Sequence, residues 1–275
     1  MLIAHLTDLH VRPHGMAANR VSETNMMTAR AIDAIRLLDP RPDCVIISGD
    51  LTDCGLEQEY AQLKTMLDTL PMPVYVIPGN HDRRENLTRV LAGYPGITEG
   101  GKFVQYAVED HPVRLIALDT VVPGSSSGEL DAERLGWLED TLASHRDKPT
   151  IIFMHHPPFL CGIRHMDDIR LLKGAEELAA MVARNPQVER VLCGHHHRPI
   201  HMRWAGTIAS IGPSVSHQVT LDLRPQDPGS MVFEPPAYQL HLWAEGAGLV
   251  SHMAYVERYD GPFPFLLDPD YPGKA

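Results

Sequence analysis

Five short apolar runs in this chain each end in side chains that can bind a metal ion or contact a phosphate. The last of them, Val191-Leu192-Cys193, leads into Gly194-His195-His196-His197, where a strand would end and a loop begin. Because side chains at i and i+2 of an extended segment point the same way, His195 and His197 can face one site. Two imidazoles placed in this way have a geometry suited to metal ligands. An isolated pair of this kind more often marks a polar loop, so the inference depends on the other four runs.

Two of these runs end in carboxylates. The first, Leu2 to Thr7, is followed by Asp8 and His10, which alternation places on the same side, so that they can chelate one ion together. The second, Asp43 to Ser48, ends in a glycine that allows a sharp turn and leaves Asp50 exposed at the strand end. A carboxylate there can bridge two cations through its two oxygens, whereas a neutral ligand could not hold two dications so close together.

The remaining two runs end in an amide and in imidazoles. After Val74 to Ile77 come Asn80 and His81, and after Thr150 to Met154 comes the His155-His156 pair. The neutral side-chain oxygen of Asn80 can bind one metal and leave it Lewis acidic, although an Asn after Pro-Gly is also a common turn former. His81 points elsewhere and could donate to a phosphoryl oxygen or protonate a leaving group.

Hydrophobic periodicity predicts the helices and strands that must position these strand ends. Continuous apolar strands are typical of a sheet that is covered on both faces. Amphipathic helices are predicted over 22–38, 56–70, 131–144 and 175–184, with a hairpin from 103–108 and 113–118. The β-rich runs between 200 and 258 predict the second sheet of a sandwich. Segments 121–128 and 160–169 are predicted as loops, the first at the site mouth and the second either contacting substrate or solvated.

The ordered series of these motifs resembles the calcineurin-like metallophosphoesterase superfamily. The motifs are Asp8-x-His10, Gly49-Asp50, Gly79-Asn80-His81-Asp82, His155-His156 and Gly194-His195-x-His197. Within the superfamily the chain is similar to the bacterial class III cyclic nucleotide phosphodiesterases and the related glycerophosphodiesterases. The resemblance implies an α/β fold, a four-layer α-β-β-α sandwich with two mixed sheets. The metallophosphoesterase domain would span 1–260, with 201–260 as its β-rich second-sheet part, followed by a Pro-rich tail over 261–275.

The resemblance also implies the roles of the site residues. One cation would be held by Asp8, His10, Asp50 and His197, and the second by Asp50, Asn80, His155 and His195. Oxygen and nitrogen ligands suit manganese, iron, zinc or cobalt. The two divalent cations would hold a bridging hydroxide that attacks phosphorus. His81 and His217 would be catalytic, and together with Asn80 would contact the substrate; His217, matched only by context, could equally be a surface strand histidine.

The implied function is hydrolysis of a small phosphodiester. Glycerophosphodiesters and 3',5'-cyclic nucleotides such as cAMP are near-equal candidates, because specificity depends on loops whose shape the sequence does not give. One alternative is a phosphomonoesterase of the same fold. Another is a non-catalytic metal-binding scaffold, which the complete set of ligand residues disfavours.

Composition excludes several other classes. The chain has 275 residues, 24 basic against 35 acidic, and a net charge of -11, which argues against tracking a polymeric nucleic acid. No apolar run approaches the roughly 20 residues that span a bilayer. The first residues lack the basic and apolar regions of a signal peptide, and the four cysteines show no CxxC spacing, so we expect a cytoplasmic protein with reduced thiols. The Pro-rich tail contains three large apolar residues, Phe263, Phe265 and Leu266. They predict that the tail docks on the body or on another subunit, which is consistent with a homo-oligomer.

Overall fold

Two β-sheets lie at the centre of the protein in the computed structural model, which describes residues 1–226 and 228–263. The first sheet contains β1 (Leu2–Leu6), β2 (Cys44–Ser48), β3 (Val74–Ile77), β14 (Ala237–Ala244) and β15 (Gly248–Tyr255). Its strand order is β15-β14-β1-β2-β3. Strands β1, β2 and β3 are parallel, whereas β14 and β15 are antiparallel, so the sheet is mixed.

The second sheet is also mixed. It contains β4 (Tyr106–Val108), β5 (Arg114–Leu118), β7 (Thr150–Met154), β9 (Val188–Cys193), β10 (Ile200–Trp204) and β11 (Thr207–Ile211), in the order β10-β11-β9-β7-β5-β4. The four central strands are parallel and the two edge strands are antiparallel. Two small sheets lie outside it, formed by β6 (Gly128–Glu129) with β8 (Leu171–Lys173) and by β12 (Gln218–Val219) with β13 (Met231–Val232).

Helices cover the outer faces of both sheets. They are α1 (Thr24–Arg36), α2 (Glu57–Leu67), α3 (Arg84–Val90), α4 (Ala132–Ser144), α5 (Arg164–Asp167) and α6 (Ala175–Ala183). Helices α1, α2 and α3 share a buried apolar cluster with the first sheet, and α4 and α6 share another with the second. A third cluster lies between the two sheets. The predicted four-layer α-β-β-α sandwich with two mixed sheets is confirmed.

Strands β2 and β7 are almost continuously apolar because both of their faces are buried. In β2, Val45 and Ile47 pack with the helices, whereas Ile46 packs between the sheets. In β7, Ile152 packs with the helices and Phe153 packs between the sheets. The predicted metal ligands accordingly follow the ends of such strands rather than lying within them.

The strands after residue 200 differ from the sequence-based expectation. Of these strands, β10 and β11 join the second sheet, whereas the β14–β15 hairpin joins the first sheet beside β1, with Leu2 opposite Leu242. The prediction that 201–260 forms a second-sheet part is therefore wrong for this hairpin. Alternation along a strand indicates one buried face, but it does not specify which sheet edge accepts the backbone hydrogen bonds.

The residues predicted to dock the C-terminal tail lie at or beyond the end of the described residues. Phe263 is 78% exposed, so it is not docked on the body, and Phe265 and Leu266 lie outside the described residues. Within residues 1–226 and 228–263, no helix has the length and apolar character needed to cross a bilayer.

Candidate metal centre

The predicted metal ligands meet where five parallel strands end. Strands β1, β2 and β3 bring Asp8, His10, Asp50 and Asn80 from the first sheet, and β7 and β9 bring His155, His195 and His197 from the second. All of these residues are buried except Asn80, which is half-buried. The segments after β1 and β2 are joined by backbone hydrogen bonds from Asp8 N–H to Gly49 O (3.1 Å) and from His10 N–H to Asp50 O (2.9 Å).

Five of these seven residues have left-handed backbone conformations. Their φ angles are 55° at Asp8, 47° at His10, 47° at Asp50, 72° at His195 and 52° at His197. Non-glycine residues adopt this region rarely and at a cost of about 1–3 kcal/mol each, and such residues cluster at functional sites. The surrounding hydrogen bonds therefore maintain a backbone that aims these side chains at one place.

Two glycines allow the segments to approach each other closely. A Cβ atom at Gly79 would overlap Asp50 Oδ1, and one at Gly194 would overlap Thr7 Oγ1. Because neither position has room for a side chain, these glycines are required by close packing of the strand ends.

The first predicted ligand group is assembled in the structure. The ligand atoms of Asp8, His10, Asp50 and His197 all lie within 4.8 Å of one another. Nε2 of His197 is 3.4 Å from Asp8 Oδ1 and 3.1 Å from His10 Nε2. Nε2 of His10 is in turn 3.6 Å from Asp50 Oδ2.

The second predicted group lies on the other side of Asp50. Nε2 of His155 is 3.4 Å from Asp50 Oδ2 and 3.1 Å from Asn80 Oδ1. The ring of His195 lies 5.0 Å from that of His155, centroid to centroid. His156 also contributes a nitrogen within 4.8 Å of those of His155 and His195, while its Nδ1 pairs with Thr120 Oγ1 at 2.8 Å.

Three of the four predicted histidine ligands have their second nitrogen hydrogen-bonded to a backbone carbonyl oxygen, and Nδ1 of the fourth, His10, lies near a carboxylate oxygen without a hydrogen bond to it. His155 Nδ1 lies 2.8 Å from Ser48 O, His197 Nδ1 lies 2.9 Å from His217 O, His195 Nε2 lies 3.1 Å from Ile169 O, and His10 Nδ1 lies 3.3 Å from Asp53 Oδ1. Metal-binding imidazoles in proteins are oriented in this way, because the outer acceptor fixes both the tautomer and the ring plane. The donor set therefore fits two divalent cations.

Asp50 is the only residue shared by the two predicted groups. Its Oδ2 lies near His10 and near His155, whereas its Oδ1 accepts the backbone N–H of His81 at 2.9 Å. Oδ2 is therefore the Asp50 oxygen that faces both predicted groups.

Burial and neighbouring charges shift the pKa values of the predicted ligands in different directions. Burial by itself would raise the pKa of Asp50, but the charges of His155 and His81 outweigh it and lower that pKa well below its ordinary value. Burial would lower the pKa of His155, but Asp50 raises it to about 9. Burial raises the pKa of Asp8 to about 6 and lowers that of His197 to about 3.

We expect metal binding at pH 7 to release at least about one proton per chain, because His155, with a pKa of about 9, must lose its proton before it can bind a cation. Affinity should therefore rise with pH up to about 9, and it should fall further below about 6, where Asp8 is also protonated. Calorimetric titration of metal-free protein with Mn²⁺ in two buffers of different ionisation enthalpy measures this release. Equal heats in both buffers at pH 7 would contradict the prediction.

The two predicted catalytic histidines border the same space. The side chain of His81 is 41% exposed, and its Nδ1 lies 2.7 Å from Asp53 O, which leaves Nε2 available to a substrate. His217 is 5% exposed and its Nδ1 lies 3.2 Å from Ser22 Oγ, so the alternative of a surface strand histidine is wrong.

A cavity of about 420 Å³ opens over the ligand groups and is called the metal-side cavity below. Its lining comprises His10, Asp50, Asn80, His81, His195, His197 and His217, together with Asn19, Ser126, Met166, Ile169, Val219 and Met231. Ser126 belongs to the loop predicted at the site mouth, and Met166 and Ile169 belong to the segment predicted over 160–169.

Two further carboxylates support the site and were not assigned a role from the sequence. Asp53 contacts His10, as described above. Asp82 accepts the backbone N–H groups of Leu51 (2.9 Å) and Gly79 (2.8 Å) and the hydroxyl of Tyr60 (2.7 Å). It therefore ties the segment after β2 to the segment after β3. The only sequence signal for either residue was its place within a ligand motif.

Comparison with known proteins supports a family assignment. The chain is 40% identical over 265 residues to the probable glycerophosphodiester phosphodiesterase GpdQ of Arcobacter nitrofigilis, covering 96% of this chain and 97% of the relative. It is 34% identical to the glycerophosphodiester phosphodiesterase GpdQ of Enterobacter lignolyticus, covering 96% and 94%. It is also 35% identical to a probable cyclic nucleotide phosphodiesterase of Rhodopseudomonas palustris, covering 96% and 95%.

Among solved structures, the fold is similar to that of a dimetal phosphatase from Danio rerio, with a TM-score of 0.64, 15% identity, and coverage of 94% of this chain and 99% of that one. The family model for calcineurin-like phosphoesterases matches residues 1–199, which include all seven predicted ligands. The chain belongs to the calcineurin-like phosphoesterase family.

Proposed function

We propose that this protein is a dinuclear-metal phosphodiesterase that hydrolyses small phosphodiesters, either glycerophosphodiesters or 3',5'-cyclic nucleotides. The observation that carries the proposal is the position of Asp50 Oδ2, which faces His10 on one side and His155 on the other. Relatives covering nearly the whole chain are named as phosphodiesterases of these two substrate classes.

The residues have separate tasks in this proposal. Asp8, His10, Asp50 and His197 would hold one divalent cation, and Asp50, Asn80, His155 and His195 the other. When bound, the two cations would neutralise charge on the phosphoryl oxygens and lower the pKa of water from about 15.7 toward 7. Asn80, His81 and His217 line the space where the substrate phosphate would lie.

In this proposal His81 would assist departure of the leaving group. Its Nδ1–H donates to Asp53 O, which fixes the ring and leaves Nε2 to donate to a phosphoryl oxygen or to pass a proton to the leaving alkoxide. His217 stands in contact with His197, ring centroids 4.7 Å apart, and would donate from the wall of the metal-side cavity.

The proposal also covers the identity of the metals, the cellular location and the oligomeric state. The imidazole, carboxylate and amide donors suit manganese, iron, zinc or cobalt, and the choice would depend on supply. A cytoplasmic location is supported by the four cysteines, all of which are free thiols. A homo-oligomer stays a prediction from the sequence.

The function is tested by a paired assay on protein stripped of metal and reloaded with Mn²⁺. We expect bis(p-nitrophenyl) phosphate to be hydrolysed with a higher kcat/KM than p-nitrophenyl phosphate, and chelation to abolish both rates. The reverse order would indicate a phosphomonoesterase. No hydrolysis of either compound after reloading with manganese, iron, zinc or cobalt would favour a non-catalytic scaffold.

A further inference from the structure

A second cavity adjoins the metal centre. Its volume is about 450 Å³, and it shares Asn80 and His81 with the metal-side cavity. The rest of its lining comes from the segment after β2, the start of α3 and the loop around Pro123, namely Asp53, Cys54, Asp82, Arg83, Arg84, Glu85, Val121, Pro123 and Gly124. We call it the arginine-side cavity. The two cavities therefore meet at the residues that would contact the substrate phosphate.

Two of the charged side chains around the arginine-side cavity, those of Arg84 and Asp53, are already paired. Arg84 donates to both carboxylate oxygens of Asp119, at 2.6 and 2.7 Å, and to Val121 O at 2.6 Å. Asp53 lies 3.4 Å from Arg12 Nη1 and 3.3 Å from His10 Nδ1. The guanidinium of Arg83, by contrast, makes no hydrogen bond or ion pair with any residue in 1–226 or 228–263.

Packing fixes the stem of Arg83 beside this cavity. Gly55 has a φ of +67°, and a Cβ atom there would lie only 2.5 Å from Arg83 Cγ, so the absence of a side chain makes room for the arginine stem. The backbone N–H of Arg83 donates to Tyr60 Oη at 3.0 Å, and that hydroxyl donates to the buried Asp82. A side chain whose stem is already ordered loses less entropy when it binds a ligand.

We propose that Arg83 binds a carboxylate on one of the two alcohol arms of a linear phosphodiester. This inference rests on the proposed phosphodiesterase function and narrows its substrate class. When the phosphate lies at Asn80 and His81, each of the two alcohol arms of a linear diester can enter one of the two cavities. A 3',5'-cyclic nucleotide carries both ester oxygens on one ribose, so its sugar and phosphate form a single compact unit that leaves the arginine-side cavity unfilled.

The charged side chains of the arginine-side cavity indicate which groups the alcohol arm carries. An unpaired guanidinium offers a planar fork of donors that matches the two oxygens of a carboxylate. Glu85 lines the same cavity, so an arm with an ammonium group next to its carboxylate would meet an opposite charge on both sides. A glycerophosphodiester with an amino-acid head group has this chemistry.

The test compares glycerophosphoserine with glycerophosphoethanolamine, which differ by one carboxylate. We expect the manganese-loaded wild-type protein to have the higher kcat/KM for the serine diester. Arg83→Gln should lower the serine-to-ethanolamine ratio by about 10- to 100-fold, mainly through KM for the serine diester, because a hydrogen bond to a charged group is lost. Glu85→Gln is the matched control in the same cavity and should not lower the ratio. Metal content and thermal unfolding of both variants check that they are folded.

Three results would overturn the assignment of Arg83. They are a wild-type protein without preference for the serine diester, an Arg83→Gln variant with the wild-type ratio, and an equal fall of the ratio in Glu85→Gln. In each case, hydrolysis of bis(p-nitrophenyl) phosphate by the wild-type protein would leave the phosphodiesterase function standing. Failure to hydrolyse that compound as well would instead remove the function on which the inference rests.

Discussion

Asp50→Ala should remove both bound cations and lower kcat/KM for a diester by at least about 10³-fold, or ~4 kcal/mol. Asp50 Oδ2 lies between the two ligand groups, 3.6 Å from His10 Nε2 and 3.4 Å from His155 Nε2. Without it, two neighbouring dications would lose the negative charge that offsets their repulsion. Elemental analysis after dialysis gives the metal content, and diester hydrolysis gives the rate.

The matched variant is Asp50→Asn, which keeps the size of the side chain and an oxygen able to accept the His81 N–H. It lacks the charge and the second oxygen, so it should also fail to hold two cations. If either variant kept two metals per chain, Asp50 would not be the shared ligand. Circular dichroism is needed beside both measurements, because Asp50 is buried and has a φ of 47°.

His81→Ala should keep both cations and lower kcat by about 10²- to 10⁴-fold, the usual contribution of a positioned proton donor. The hydrogen bond from the His81 backbone N–H to Asp50 is retained by the substitution, whereas the ring, which packs edge-on against His10 and carries the exposed Nε2, is removed. The loss should be larger for an alkyl leaving group than for p-nitrophenolate, which needs little protonation. Steady-state kinetics with both kinds of diester measures this difference.

His252, an exposed residue on β15, provides the control substitution for His81. His252→Ala should match the wild-type protein in metal content and in kcat with either leaving group. An unchanged kcat in His81→Ala would remove His81 from the mechanism. A loss of metal in that variant would instead show that its role is structural.

The strand ends could be predicted from the sequence because one physical pattern repeats there. An apolar run that stops at a Gly, Asp, Asn or His signals a buried strand followed by a functional loop, and Asp8, Asp50 and Asn80 each follow a strand in this way. The same runs predicted that the sheets are covered on both faces, whereas the four-layer arrangement was implied by the family resemblance.

Other features depend on tertiary contacts that no local pattern specifies. The pairing of β14 with β1 is determined by which sheet edge is available. Helix α3 spans seven mostly polar residues, too few for a clear 3.6-residue period. The contact of Asp53 with His10 and the left-handed backbone of the ligands arise only when segments distant in sequence meet.

The central claim is that two cations share Asp50 between the ends of the two sheets. Crystals of manganese-loaded protein, measured at a wavelength with strong anomalous scattering from manganese, test it most directly. We predict two anomalous peaks about 3.5–4 Å apart, both in contact with Asp50, one beside His10 and His197 and the other beside His155 and His195. A single peak, or a second peak displaced to the His10, Asp53 and His81 triad, whose ligand atoms also lie within 4.8 Å of one another, would contradict it.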